Sequence, residues 1–136
     1  MKKAVAIFKY QIPSVLWAVF IFVLCTSSTG GFSSVKLLGF IPTDKLGHAF
    51  IFSALVYFLI LGFVKYWRFP FMINKIRLLS FILAIAYGLF IELYQLYVVV
   101  GRTADYWDFI ADVVGAALGI LMFHSVYGNL KFLEEN

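Results

Sequence analysis

Apolar residues along this chain gather into four long runs, approximately 12–26, 48–64, 78–100 and 109–127, separated by short polar segments. None of them alternates polar and apolar positions with period two, which excludes a membrane β-barrel by pattern. A hydrocarbon core about 30 Å thick takes about 20 helical residues, with about 17 as a lower limit. The third and fourth runs clear that length and the second is adequate. The first becomes long enough when Tyr10, Gln11, Ser27 and Ser28 occupy the interfacial zones. The pattern therefore predicts an all-α, integral membrane four-helix bundle forming one domain over residues 1–136, with spans at approximately 10–28, 47–65, 78–100 and 108–127.

Composition agrees: 63% of the residues are hydrophobic and only 13% charged, against about 25% charged in soluble domains. The formal charge of +4 comes from Lys and Arg scattered between apolar runs. A nucleic-acid footprint would cluster them on one solvated face, so no nucleic-acid partner is expected. Cys25, the only cysteine, reads as a small buried apolar residue. The first run has a second reading. Lys2, Lys3 and Lys9 ahead of an apolar stretch and "CTSSTGG" resemble the regions of a signal peptide, and its removal would leave three spans.

The basic residues also orient the bundle. Lys2, Lys3, Lys9, Lys65, Arg68, Lys75, Arg77 and Lys131 fall on one side, and Lys36, Lys45 and Arg102 on the other. The positive-inside rule then predicts cytoplasmic termini. Under that topology Asp44, Glu92, Asp105, Asp108 and Asp112 all lie in the outer half. Asp44 and His48 are four apart at the start of the second span, hence on one helical face. Glu92 and Gln95 share a face of the third. Asp105, Asp108 and Asp112 form an acidic stripe on the fourth.

Several of these positions have ordinary structural uses. Asp44 and Asp105 are suited to capping helix starts, and Arg102 to solvent or lipid phosphate. Capping does not account for Glu92 or Asp112, which sit a turn or more inside their spans, where an ionised side chain is costly without a partner. The expectation is that they converge with His48 on a polar pocket opening outward. Gly115 and Gly119, four apart below Asp112, predict a close helix approach beneath it, with Gly88 as the receiving surface.

Taken together, "DKLGH", "YGLFIELYQ" and "GRTADYWDFIADVVGAALG" resemble the VanZ-like family of small bacterial membrane proteins over roughly residues 10–127. The pattern falls on Asp44, Lys45, His48, Glu92, Gln95, Arg102, Asp105, Asp108, Gly115 and Gly119. Asp112 departs from it, since members often carry Asn there. The resemblance implies a multi-pass protein of the bacterial cytoplasmic membrane, in a family whose founding member is associated with resistance to the glycopeptide teicoplanin.

Three functions follow as expectations. In the first, the pocket binds a membrane lipid or lipid-linked cell-wall headgroup, with Lys45 and Arg102 meeting phosphate and the carboxylates meeting hydroxyls or amines; the glycopeptide is a further candidate partner. In the second, an outer-leaflet enzyme uses His48, Glu92 and Asp108 as candidate catalytic groups, with a divalent metal held by Asp105, Asp108 and Asp112. The third is an ion or proton pathway, for which the cytoplasmic half of the spans lacks matching ionisable residues. Four short helices enclose little space, which leaves room for a homodimer through an apolar face.

Overall fold

The computed structural model describes residues 2–27, 36–37, 41–67, 72–100 and 105–127. Four helices dominate it: α1 (Lys2–Thr26), α2 (Thr43–Trp67), α3 (Ile73–Tyr97) and α4 (Tyr106–Tyr127). Between α1 and α2, β1 (Lys36–Leu37) and β2 (Ile41–Pro42) form a two-residue antiparallel pair, too small to alter the all-α architecture. Each helix is long and apolar enough to cross a membrane, over Phe8–Thr26, Thr43–Tyr66, Ile73–Tyr97 and Tyr106–Tyr127. In lipid the backbone must satisfy its own hydrogen bonds, so continuous apolar runs become helices.

Every helix starts before its apolar run, α1 at Lys2 and α4 at Tyr106 among them. The second helix starts at Thr43 and the third at Ile73, each several residues before its apolar run. Hydropathy marks where the chain turns apolar, whereas the helix continues through interfacial residues whose long side chains reach out of the apolar layer. The third helix stops at Tyr97, and the Val98 N–H closes it on the Tyr94 carbonyl at 2.9 Å.

The second helix is the most buried of the four. It packs most extensively on α4 and also on α1, while α3 lies against both α4 and α2. The core runs through Ile21 of α1, Phe52, Val56 and Ile60 of α2, Ile76, Ala84 and Ile91 of α3, and Ala116 and Phe123 of α4. Outward faces are apolar too: Leu16, Phe50, Leu78 and Leu121 are exposed, as lipid contact requires. The first helix is tied into the bundle by polar bonds to backbone. Trp17 Nε1 donates to the Ile51 carbonyl at 2.9 Å, and the Tyr87 hydroxyl donates to the Ala18 carbonyl at 2.6 Å.

Gly115 and Gly119 produce the expected close approach, but to a different neighbour. A Cβ at Gly115 would collide with the Ala49 carbonyl, and one at Gly119 with the Ser53 carbonyl, both on α2. Small residues let membrane helices meet backbone to backbone. Gly88 of α3 instead makes room for a side chain, that of Asp112, whose Oδ2 would lie 2.9 Å from a Cβ there.

Candidate functional site

The α2–α4 seam sets the start of α2 beside the start of α4, and the last turns of α3 face both. Here the chain concentrates its charge. Lys45 extends from the first turn of α2 to three carboxylates: Asp44 at 3.2 Å, Asp105 at 2.5 Å, and Asp108 in closer contact still. Sequence reasoning assigned this ammonium to a ligand phosphate. Within the protein it is the counter-ion of an acidic cluster, because its flexible stem lets it turn back onto the facing helix.

Asp105 does two jobs. One carboxylate oxygen accepts the Trp107 N–H at 2.9 Å, the N-cap arrangement that satisfies an orphan donor of α4. The other holds Lys45. That hydrogen-bonded ammonium keeps the Asp105 carboxyl below the ordinary carboxylate range.

One turn deeper, His48 of α2 is 4% exposed and Asp112 of α4 is 1% exposed. His48 Nδ1 lies 2.8 Å from Asp112 Oδ1, and its Nε2 lies 3.9 Å from Asp108 Oδ2. With Asp112 ionised, Nδ1 carries the proton toward it and Nε2 faces Asp108. The imidazole thus stands between two acids of the α4 stripe.

Glu92 enters from α3. Its Oε2 accepts the Asp105 backbone N–H at 3.0 Å, so it reaches α4 across the bundle and is not turned to lipid. The charges of Asp108, Asp112 and His48 are close enough to act on it. Glu92 Oε1 and Asp112 Oδ2 are buried and have no hydrogen-bond partner among the described residues.

Two expected members stand apart. Gln95 is buried, but its Nε2 donates to the Cys25 carbonyl at 2.6 Å, tying α3 to the end of α1. Three residues turn a helix by about 300°, leaving Gln95 about 60° away from Glu92. That is enough to face a different neighbour. Arg102 lies outside the described residues. Of the trio expected to hold a metal, Asp105 is turned to Lys45 and Asp112 to His48; among the described residues, the group whose ligand atoms come within 4.8 Å of one another is Asp44, His48 and Asp108.

An apolar groove of about 450 Å³ begins at this cluster, between α2 and α4, lined by Lys45, Leu46, Ala49, Trp107, Ile110 and Val114 among others. A second groove, of about 670 Å³, shares Leu46 and Ala49 and continues past Ser53 to Met122 and Val126. Neither groove was legible from helical spacing alone, since each is lined from both α2 and α4 and depends on which of their faces meet.

No curated protein and no solved structure matches the chain. A family model does: VanZ/LLP1, over residues 7–127. The matched segment takes in all four membrane-crossing stretches and every charged residue of the cluster, and the chain belongs to the VanZ/LLP1 family of multi-pass membrane proteins.

Proposed function

We propose that this protein binds an amphipathic membrane lipid, or a lipid-linked cell-wall headgroup, with the polar part at the Lys45–His48 cluster and a chain along the α2–α4 groove. The observation that carries the reading is the junction itself: Lys45 belongs both to the charged cluster and to the lining of an apolar groove on the lipid-facing surface. Such a junction matches a ligand with a polar head and an apolar tail. Because Lys45 is already held by carboxylates, headgroup hydroxyls or amines suit the cluster better than a bare phosphate does. The positive-inside count supports a cluster at the outer face of the bacterial cytoplasmic membrane, where a lipid-linked wall precursor would be met. That location would also connect the chain to glycopeptide resistance.

The test is mass spectrometry of lipids retained by the intact, gently solubilised protein. One lipid class should be enriched over the bulk membrane. Val114→Trp, which fills the groove from an exposed position, should deplete it without unfolding the protein. Retention that mirrors the bulk lipid mixture in both proteins would end the reading.

A second reading has its own observation. Asp112 fixes His48 Nδ1 and leaves Nε2 toward Asp108, the orientation a general base requires. Conversion of the retained lipid, lost in His48→Gln, would favour catalysis over binding.

A further inference from the structure

Among the described residues, five carboxylates, those of Asp44, Glu92, Asp105, Asp108 and Asp112, gather with the Lys45 ammonium and the His48 imidazole at the entry of α2 and α4. Buried charge in a membrane span needs compensation, and among the described residues the cationic groups meeting these acids are Lys45, at Asp44, Asp105 and Asp108, and His48, between Asp108 and Asp112, so the carboxylates outnumber them. Glu92 and Asp112 are 5% and 1% exposed, and each keeps one carboxylate oxygen with no partner among the described residues.

We infer that this cluster is a divalent-cation site, with Asp44, His48 and Asp108 as the protein ligands and Asp112 as the carboxylate behind the imidazole. Ligand bonds of about 2.1 Å place two atoms on one ion at most about 4.2 Å apart. The 3.9 Å from His48 Nε2 to Asp108 Oδ2 meets that limit without rearrangement. The largest separation in the trio, within 4.8 Å, closes with a shift of a few tenths of an ångström in a side chain at the helix mouth. Asp112 accepting from Nδ1 fixes the tautomer in which Nε2 is the free donor atom. A carboxylate behind a metal-bound histidine does this and also makes the ring a better ligand. One nitrogen among carboxylate oxygens suits Mn²⁺, with Zn²⁺ as competitor. The cation site does not depend on the lipid reading, and it stands if no lipid is retained.

The probe is Mn²⁺ alone. Full-length protein in detergent micelles, with any polyhistidine tag removed, is stripped with EDTA and titrated with MnCl₂, and free Mn²⁺ is read from its aqueous EPR lines. The expected result is about one bound ion per chain, with nitrogen modulation in pulsed EPR from an imidazole ligand. His48→Gln should abolish that modulation and weaken binding at least about tenfold, and Asp112→Asn, which keeps the acceptor but lowers ring basicity, should weaken it by roughly tenfold. The chain holds only one other histidine, His124, which is exposed beside Arg77. His124→Gln should leave the modulation intact, and it assigns the nitrogen to His48 even if His48→Gln fails to fold. No binding, binding without nitrogen modulation, or modulation lost in His124→Gln overturns the site. Lipid retention is measured on the EDTA-stripped protein, so failure here is distinct from failure of the lipid reading.

Discussion

Gln11 of α1 and Asp112 of α4 are both buried, and both rest against a glycine of a neighbouring helix. A Cβ at Gly62 would stand 2.7 Å from the Gln11 amide, and one at Gly88 would stand 2.9 Å from Asp112 Oδ2. They differ in what remains unused. Gln11 donates to the Leu59 carbonyl at 3.3 Å and accepts from the Ser14 hydroxyl at 2.7 Å, so both ends of its amide are engaged. Asp112 meets His48 through Oδ1 and keeps Oδ2 without a partner among the described residues. A polar group in a membrane bundle can be glue or site, and leftover capacity together with charge separates the two. Ser80 Oγ also lacks a partner among the described residues, yet a lone neutral hydroxyl attracts no ion.

The comparison rests first on the α2–α4 seam, which holds Asp112 against His48. Gly115→Ala should have the largest effect, because the new methyl meets the Ala49 backbone carbonyl and no side chain can swing aside. The helices must separate, at a cost of about 3 kcal/mol. Thermal unfolding in micelles reads it. A wild-type melting curve for Gly115→Ala would mean that α2 and α4 do not meet backbone to backbone, and the basis for the deep cluster would go with it.

Next come the two glycine notches themselves. Gly88→Ala pushes on a short carboxylate held by His48 and, at 3.3 Å, on the Phe52 ring, so it should cost about 1–2 kcal/mol through the displaced pair. Gly62→Ala meets the far end of a flexible side chain, and its cost should stay under about 1 kcal/mol. Equal losses in the two variants would erase the distinction between charged site and neutral clasp. The clasp offers a smaller check. Ser14→Ala removes one hydrogen bond and should cost about 0.6 kcal/mol, the mean for such bonds in membrane bundles. A loss like that of Gly115→Ala would promote Ser14 from glue to keystone.

Much of this was legible along the chain because helical spacing fixes angles on a helix. The four-residue step from Asp44 to His48 and the Asp105–Asp108–Asp112 stripe place their side chains on single faces, and the seam glycines follow the same rule. What spacing does not fix is which neighbour a face meets. Gln95 shares a side of α3 with Glu92 yet turns to Cys25 of α1, and Gly88 receives a carboxylate in place of a glycine ridge. Lys45 illustrates a second limit: a long flexible cation on an outer turn reads equally well as a ligand contact and as an internal counter-ion. Only the position of α4 across from it decides between them.

The smallest expected effect concerns the rim of the cluster, where Asp105 both caps α4 and pairs with Lys45. Asp105→Asn separates the two jobs, since Asn is as good an N-cap as Asp but carries no charge for the ammonium. The side chain of Asp105 is 43% exposed, so solvent screens the pair and the loss at neutral pH should stay below about 1 kcal/mol. Its pH dependence has a definite sign. Lys45 lowers the folded-state pKa of Asp105 below its ordinary 3.8, so above that value both folded and unfolded carboxyls are ionised and the contribution is complete. As pH falls past 3.8 the unfolded carboxyl protonates first, and the contribution drains away until the folded carboxyl has protonated as well. Melting temperatures of wild type and Asp105→Asn, measured in micelles from pH 7 down to pH 3, should therefore differ slightly but steadily at the upper end and converge below about pH 4. A gap that stays constant to the acid end would assign the loss to the cap, and a gap that widens with acid would contradict the ion pair at the rim.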